Sequence, residues 1–287
     1  MKYRGFAMIL TVLVDNHTLT DRYFRGEPGL SFLIEEGDQR ILFDTGFSGL
    51  FLENAALMEI DLLDLDIVVL SHGHIDHTGG LSHLIDRYIL AAIEGIPFNT
   101  PLLLAHPHAF LPRRAGLLPQ IGLRISPEEL ARHFTVKSSR EPVWLTDRLV
   151  FLGGIPRPEG SSASGEKKRF LITPEGEVED RVMDDTGLAC VTDDGIVVIT
   201  GCAHAGIDYM VARAQEVSGE DRVADVIGGF HLLNPPSVVR ERVLGFMEQA
   251  KPRILHPCHC TDLASKTALS RVAPVGEVGV GLRREYG

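Results

Sequence analysis

Short apolar runs separated by polar turns dominate the first third of the chain. Their large and β-branched residues predict strands at 7–14, 30–37, 40–46 and 65–70. The second and third runs are joined by the turn-like sequence EGDQ, which predicts an antiparallel hairpin. The fourth run, LDIVVL, is continuously apolar, as expected of a strand that is buried on both faces.

Other stretches space their apolar residues at helical intervals. This spacing predicts helices at 48–60 and 79–95 in the first half of the chain, and at 206–217, 236–250 and 261–272 in the second. Strands and helices therefore alternate along both halves, which indicates the α/β class.

The second half adds further strands to this alternation. A hairpin turning at DDG is predicted over 187–201, and single strands are predicted at 223–229 and 252–257. The stretch 101–110 is interpreted as a strand entering a loop. The Gly- and Ser-rich stretch 153–170 is expected to be a mobile surface segment, and whether it closes over a site is left open.

Domain organisation follows from the absence of a linker-like sequence between the halves. One domain over 1–287 is predicted, with two mixed sheets face to face and helices outside, which is an αββα sandwich. The apolar run that follows Lys2 and Arg4 ends at Asp15 and Asn16 without a small-residue cleavage site. It is interpreted as the first strand and not as a leader.

Composition narrows the possible partners. The formal net charge is −11, whereas a protein that binds nucleic acid usually shows a basic surface, so nucleic acid is not expected. The basic sequence GEKKRF (165–170) is interpreted as a solvated loop, with contact to an anionic substrate as the alternative. No apolar run reaches the roughly 20 residues of a membrane span. A small-molecule substrate is expected, and the oligomeric state is left open.

The chain has four cysteines, too few for a disulfide framework at this length. Two of them flank a histidine in HPCHC, which suggests metal binding or thiol chemistry in a reducing compartment. The cytoplasm is the expected location. The four are Cys190, Cys202, Cys258 and Cys260.

The strongest chemical signal is SHGHIDHTGG (71–80), directly after the predicted strand 65–70. It holds His72, His74, Asp76 and His77, whose imidazole and carboxylate groups suit zinc, iron, manganese or nickel. Alternate residues of an extended loop project to one side, so four such groups can hold two adjacent ions with help from elsewhere in the chain. A histidine-rich surface loop is the plainer alternative, and this density of ligands argues against it.

This loop resembles the H-x-H-x-D-H signature of the metallo-β-lactamase superfamily, whose fold is an αββα sandwich with one or two metal ions at the edge of its sheets. The resemblance extends over the chain through FDTG (43–46), TGCAHAG, GGFHL and HPCHCTD. Together these motifs are similar to the archaeal and bacterial hydrolases labelled as dihydropteridine-ribofuranosyl-aminobenzene phosphate synthase-like.

The resemblance implies a ligand set for two divalent ions, with zinc the first choice. His72 and His74 would bind the first ion, and Asp76 and His77 the second. A late histidine would complete the second position, and the closing motif KPRILHPCHC aligns His259 with it. His256 is interpreted as structural. Cys258 and Cys260 would point away from the ligand in an extended segment.

The remaining ligand of the first ion is less certain. The strand ending in TGCAHAG has Cys202 where the superfamily usually has a bridging aspartate, which is a departure from its pattern. His204 is favoured as the further ligand over an indirect role. Cys202 is either a thiolate ligand or merely a small residue, and Asp185 is either a carboxylate ligand or a turn or cap residue.

Other polar residues near these motifs have two interpretations each. Asp44 in FDTG is a turn residue or, as the resemblance favours, a carboxylate that orients a metal-bound imidazole. His231 is a candidate proton donor or anion contact, with a core histidine as the alternative. His106 and His108 are interpreted as loop residues.

The predicted activity is hydrolysis of a small anionic molecule, phosphorylated or pterin-like. A bound divalent ion lowers the pKa of a coordinated water from 15.7 to about 7, and Asp76 would orient that water and accept its proton. Arg157 or GEKKRF is a candidate phosphate contact. The alternatives are an iron-dependent oxidoreductase or dioxygenase on the same scaffold, and a ligand-binding protein with a vestigial site.

Overall fold

The computed structural model describes residues 7–158 and 169–287. The strands of the first half are β1 (Met8–Val14), β2 (Ser31–Glu36), β3 (Gln39–Phe43), β4 (Ile67–Val69), β5 (Leu102–Ala105), β6 (Arg113–Ala115), β7 (Thr135–Ser138) and β8 (Val143–Trp144). Those of the second half are β9 (Leu149–Phe151), β10 (Arg169–Thr173), β11 (Gly176–Glu179), β12 (Gly187–Thr192), β13 (Gly195–Thr200), β14 (Val223–Gly229), β15 (Ile254–Cys258) and β16 (Arg283–Tyr286).

The helices lie between these strands. They are α1 (Leu50–Leu57), α2 (Ile75–Thr78), α3 (Leu81–Glu94), α4 (Pro127–Leu130), α5 (Ile207–Ser218), α6 (Ser237–Ala250) and α7 (Leu263–Leu269), with a 3-10 turn at Pro107–Phe110. The long helices α3 and α5 each end at a glycine in the left-handed conformation, Gly95 and Gly219. Glycine adopts this conformation without the steric cost of a Cβ, so it terminates a helix readily. In the described ranges, no helix has the length and apolarity needed to cross a bilayer.

Two mixed sheets form the centre of the fold. The first has the strand order β16-β1-β2-β3-β4-β5-β7, and the second has the order β15-β14-β13-β12-β9-β8. In the first sheet β3, β4, β5 and β7 run parallel, and in the second sheet β13, β14 and β15 do. The predicted hairpins are confirmed, because β2 pairs antiparallel with β3 and β12 with β13.

Three apolar layers account for this arrangement. Side chains such as Phe32 and Phe151 fill the space between the sheets. The outer face of the first sheet is covered by α1 and α3, and that of the second sheet by α5 and α6. Strand β4 shows why its sequence is continuously apolar: Val68 packs toward the helices, while Ile67 and Val69 pack between the sheets. The predicted αββα sandwich is confirmed.

A third, small sheet has the order β11-β10-β6 and corrects one interpretation of the sequence. Arg169 and Phe170, the end of GEKKRF, belong to strand β10 and pair with Ala115 and Arg114. Their pairing partners are distant along the chain, so a local loop-like composition could not indicate a strand. The rest of the expected surface segment, 159–168, lies outside the described residues.

Candidate metal centre

Four strand ends bring the predicted site residues to one edge of the sandwich. Strands β13, β14 and β15 are parallel, so their carboxyl ends lie side by side, and β4 contributes from the facing sheet. The residues delivered there are His72, His74, Asp76 and His77 after β4, Cys202 and His204 after β13, His231 after β14, and His259 after β15.

A first group consists of three buried imidazoles. One ring nitrogen from each of His72, His74 and His204 lies within 4.8 Å of the other two. The His72 ring is oriented by Ser71, whose Oγ lies 3.0 Å from His72 Nδ1. The Nε2 atoms of His74 and His204 are buried and have no hydrogen-bond partner within the described residues. A buried nitrogen without a partner costs about 1–3 kcal/mol, so a ligand from outside the polypeptide would stabilise these two atoms.

The three histidine rings of the first group are expected to be unprotonated, and therefore able to bind a cation. Burial, followed by the charges of the neighbouring imidazoles, lowers the pKa of His72, His74 and His204 well below the ordinary value. All three rings are therefore neutral near pH 7, which is the form that coordinates a metal ion. The donor set and its unpartnered nitrogens fit a bound divalent cation.

A second group lies next to the first. Its members are Asp76, His77 and His259, whose ligand atoms are also within 4.8 Å of one another. Asp76 Oδ2 lies 3.5 Å from His259 Nε2 and 3.8 Å from His77 Nε2. Asp76 is the most open member, because 34% of its side chain is exposed whereas the His77 side chain is fully buried. The second group therefore reaches solvent through a carboxylate.

Asp44 orients His77 from behind. Its Oδ2 lies 2.7 Å from His77 Nδ1, and its carboxylate also accepts hydrogen bonds from the backbone N–H and the hydroxyl of Ser71, each at 2.7 Å. The bond at Nδ1 leaves His77 Nε2 directed at the site. Of the two sequence interpretations, the geometry favours the orienting carboxylate. Asp44 directly follows β3 in FDTG and adopts φ +59°, in the left-handed region where aspartate is tolerated.

His259 is held by two residues that the sequence identified only as a turn. Asp15 Oδ1 accepts a hydrogen bond from the His259 backbone N–H at 2.8 Å, and Asn16 Oδ1 lies 2.9 Å from His259 Nδ1. These contacts join positions 244 and 243 residues apart. Two polar residues directly after a buried strand were the available signal, but only the folded sheet places β1 beside the end of β15.

The carboxylates set the charge of the second group. Burial alone would lower the pKa of His77, but Asp44 and Asp76 raise it to about 9. Burial opposes ionisation of Asp76, yet His77 and His259 hold its pKa well below the usual range. In the protein without a bound cation, His77 therefore carries a proton at neutral pH, and Asp76 carries a negative charge.

Asp184 and Asp185 stand behind the first group. Asp184 Oδ2 accepts hydrogen bonds from the backbone N–H of Gly73 and from the fully buried Arg113, both at 2.8 Å, so it anchors the histidine loop. Asp185 Oδ2 accepts from the Ala205 N–H at 2.9 Å and anchors the segment that carries His204. Burial raises the pKa of Asp185 to about 7. Its contact with backbone favours the turn interpretation over direct ligation.

The other histidines separate into two kinds. His231 lies at the site, with its ring centroid 4.2 Å from that of His204. His256 is buried among the strands, where its Nδ1 lies 2.8 Å from Asp225. His106 Nδ1 accepts from the backbone N–H of His108 and caps the 3-10 turn. These positions agree with a site role for His231 alone among the four.

The sequence of the chain matches a known protein family over the region that holds the candidate ligands. The profile described as the metallo-beta-lactamase superfamily matches residues 24–259, which include every candidate ligand from His72 to His259. The chain belongs to the metallo-β-lactamase superfamily. The recognition made from the sequence motifs is therefore confirmed.

Two individual relatives are similar over most of the chain, and a third over less than a third of it. A 7,8-dihydropterin-6-methyl-4-(beta-D-ribofuranosyl)-aminobenzene-5'-phosphate synthase from Methanocaldococcus jannaschii is 33% identical, covering 88% of this chain and 90% of its own. A crystal structure of a metal-dependent hydrolase of the β-lactamase superfamily has a TM-score of 0.82 at 28% identity, covering 98% of this chain and 99% of its own. A shorter match, 38% identical over 86 residues, covers 29% of this chain and 15% of an anaerobic nitric oxide reductase flavorubredoxin from Aeromonas salmonicida.

The thiols of this superfamily member differ from the sequence interpretation in one respect. Cys258 is buried between the sheets, as expected of a residue that points away from the site. Cys260, however, has its sulfur within 4.8 Å of the ligand atoms of both Cys202 and His259. The interpretation assumed an extended segment, whereas His259 adopts φ +50°, which breaks the alternation of side chains and turns Cys260 inward.

Proposed function

We propose that this protein is a metallohydrolase that uses two divalent metal ions, zinc first among them, to cleave a small anionic substrate. His72, His74 and His204 would hold one ion, and Asp76, His77 and His259 the other. One observation carries the proposal: two adjacent groups of donors, the first of them buried and with two Nε2 atoms that lack a partner in the described residues. When bound, divalent ions supply a Lewis acid that polarises the scissile bond and acidifies a water molecule.

The chain's own carboxylate has a distinct role in this proposal. Asp76 is partly exposed at the mouth of the site and remains ionised, because His77 and His259 favour its charged form. An ionised carboxylate accepts hydrogen bonds and so fixes the orientation of a water molecule toward the substrate. Asp76 is therefore proposed as the residue that positions the nucleophile.

His231 is proposed as the proton donor to the leaving group. It lies against His204, as its ring contact shows, and it is partly exposed, so its proton can be replaced from solvent. A group that delivers a proton must reach both the substrate and bulk water, and the imidazoles of the first group are all more buried than His231.

The substrate class follows from charge and from the relative with the pterin-related name. Arg157 donates to the His204 carbonyl at 3.3 Å and lies beside the first group, where its guanidinium can meet a phosphate. We propose a phosphorylated, pterin-like or ribosyl compound as the substrate, in keeping with the name of the synthase from Methanocaldococcus jannaschii. A cytoplasmic location, which keeps the four cysteines free, completes the proposal.

A second candidate function is iron-dependent redox chemistry, which the short flavorubredoxin match favours. The two candidates predict different metals. Protein purified without added metal and analysed for its metal content decides between them: bound iron with dioxygen-dependent activity supports the redox function, and bound zinc with hydrolysis in anaerobic buffer supports the hydrolase.

The hydrolase proposal is tested with zinc-loaded protein on a panel of substrates. The panel holds a generic phosphodiester, a phosphomonoester, a lactone, a ribosyl phosphate carrying a pterin, and a folded RNA as comparator. Cleavage of one small anion, lost in His77→Ala and retained in Cys190→Ala, is the expected result. Cys190 is a matched buried control in the core between the sheets. If His77→Ala left every measurable activity and every ligand affinity unchanged, a ligand-binding protein with a vestigial site would be favoured instead.

A further inference from the structure

The sulfur of Cys202 lies at the centre of the donor cluster. Among the described residues, its Sγ belongs to three of the five groups whose ligand atoms are mutually within 4.8 Å. Through these groups it is close to His72 and His204 of the first position, and to His77 and His259 of the second. Such a central place distinguishes Cys202 from a residue selected only for its small size.

The best-defined of these contacts has the spacing of two ligands on one ion. Cys202 Sγ lies 3.2 Å from His77 Nε2. A thiolate and an imidazole bound to one tetrahedral zinc ion, at about 2.3 and 2.1 Å, are roughly 3.6 Å apart. The observed separation is near that value, so a cation can reach both atoms with little movement of either side chain.

The backbone fixes the sulfur in this place. Cys202 is 4% exposed and follows Gly201, where an added Cβ would collide with Ser71 of the facing sheet. The end of β13 is thereby held directly against the end of β4. Burial raises the pKa of the Cys202 thiol, so the side chain is a neutral thiol when no cation is present.

The neighbouring sulfur is engaged differently. Cys260 Sγ accepts a hydrogen bond from the His231 backbone N–H at 3.3 Å and donates to the Cys202 carbonyl at 3.6 Å. These two bonds tie two strand ends together, and the Cys260 sulfur also interacts with the side chains of Cys202 and His231. Cys260 borders the second position, but it belongs to one group, with Cys202 and His259, and has no place beside the first.

We propose that Cys202 is a thiolate ligand shared by both metal positions, which makes the centre a histidine, carboxylate and thiolate site for thiophilic divalent ions. The inference rests on the two-ion centre of the proposed function. Binding converts the thiol to a thiolate, releasing one proton to solvent as the sulfur–metal bond forms. Because one sulfur serves two ions, its loss weakens both positions, whereas loss of a histidine weakens one.

Cobalt-substituted protein tests this without any substrate. Thiolate ligation gives a near-ultraviolet charge-transfer band, so wild type and the Cys190→Ala control should show the band, and Cys202→Ser should lose it. Cys202→Asp should bind two cobalt equivalents without the band, which shows that loss of the band is not loss of folding. A band that persists in Cys202→Ser, or is missing from wild type carrying two equivalents, overturns the proposal.

Stepwise metal titration supplies the second readout. Both cobalt dissociation constants should rise at least tenfold in Cys202→Ser, while His204→Ala should change one and leave the other within twofold. A change in only one constant in Cys202→Ser contradicts a shared ligand. Wild type that shows the band but cleaves nothing on the substrate panel would refute the hydrolase function and leave the thiolate assignment intact.

Discussion

Asp44→Asn removes one charge from behind the candidate metal centre and preserves the shape of the side chain. The asparagine can still accept from the Ser71 backbone N–H, which Asp44 now does at 2.7 Å. Its amide N–H₂ group would then face His77 Nδ1, which also carries a hydrogen when Nε2 is free to bind a metal. Asparagine tolerates the left-handed conformation at this position, so no backbone strain is added.

The expected loss of metal affinity in Asp44→Asn follows from the role of the Asp44–His77 contact, which orients the imidazole. Changes to a carboxylate that orients a metal-bound imidazole typically cost 10–100-fold in metal affinity, or about 1.4–2.7 kcal/mol. We expect this loss at the position that uses His77 and a change of less than threefold at the other. The pKa of His77 should also fall from about 9, because Asp44 is the largest favourable contribution to it.

The assay is competition with a fluorescent chelator on metal-free protein, with the His77 ring titrated by NMR in parallel. Asp225→Asn is the matched control, since Asp225 makes the same kind of buried pair with His256, 2.8 Å away, outside the site. The control should lose stability and keep its metal affinity. Unchanged affinity at both positions in folded Asp44→Asn would refute the orienting role.

Three further outcomes are expected. Arg113→Met leaves Asp184 buried without its cation, and should lower the free energy of unfolding by about 3–5 kcal/mol in urea titrations; a loss under 1 kcal/mol would contradict this. Gly80→Ala places a Cβ against a loop carbonyl and should lower the free energy of unfolding by about 1–3 kcal/mol. Gly245 lies in a helix with open space around it, so Gly245→Ala should raise the free energy of unfolding by about 0.5–1 kcal/mol. Equal melting temperatures of the two variants and wild type would contradict both expectations. Protonated His77 stabilises the metal-free fold fully below pH 6.5, and this contribution is lost as pH rises through about 9. Zinc affinity at the position that uses His77 should therefore rise at least tenfold per pH unit up to 9, and more steeply if Cys202 also loses its proton on binding; a flat profile would contradict the proton competition.

Much of the fold could be predicted from local pattern because burial imposes a period on the sequence. Strand β4 is apolar at every position since both of its faces are covered, and α3 repeats its apolar residues on one side. Edge strands carry no such signal. Arg283–Tyr286 is mostly polar and forms a strand because β1 offers it unpaired backbone groups.

The site was predictable where its residues are dense in sequence and not where a distant segment contributes. The loop after β4 has three histidines and an aspartate within six residues, so its sequence alone indicates a metal site. Asp15 and Asn16 reach His259 only because β1 and β15 end at the same edge. Cys260 was misplaced because a single backbone angle at His259 overrides the alternation that a sequence pattern assumes.

The donors come from both halves of the sandwich, and this has a mechanical consequence. His72, His74 and His77 follow a strand of one sheet, while His204 and His259 follow strands of the other. An ion bound between these donors would cross-link the two sheets, so the sheets could separate at this edge only after the ion is released. Ion concentration then sets how often this edge opens, and a strong chelator should expose the interior to proteases.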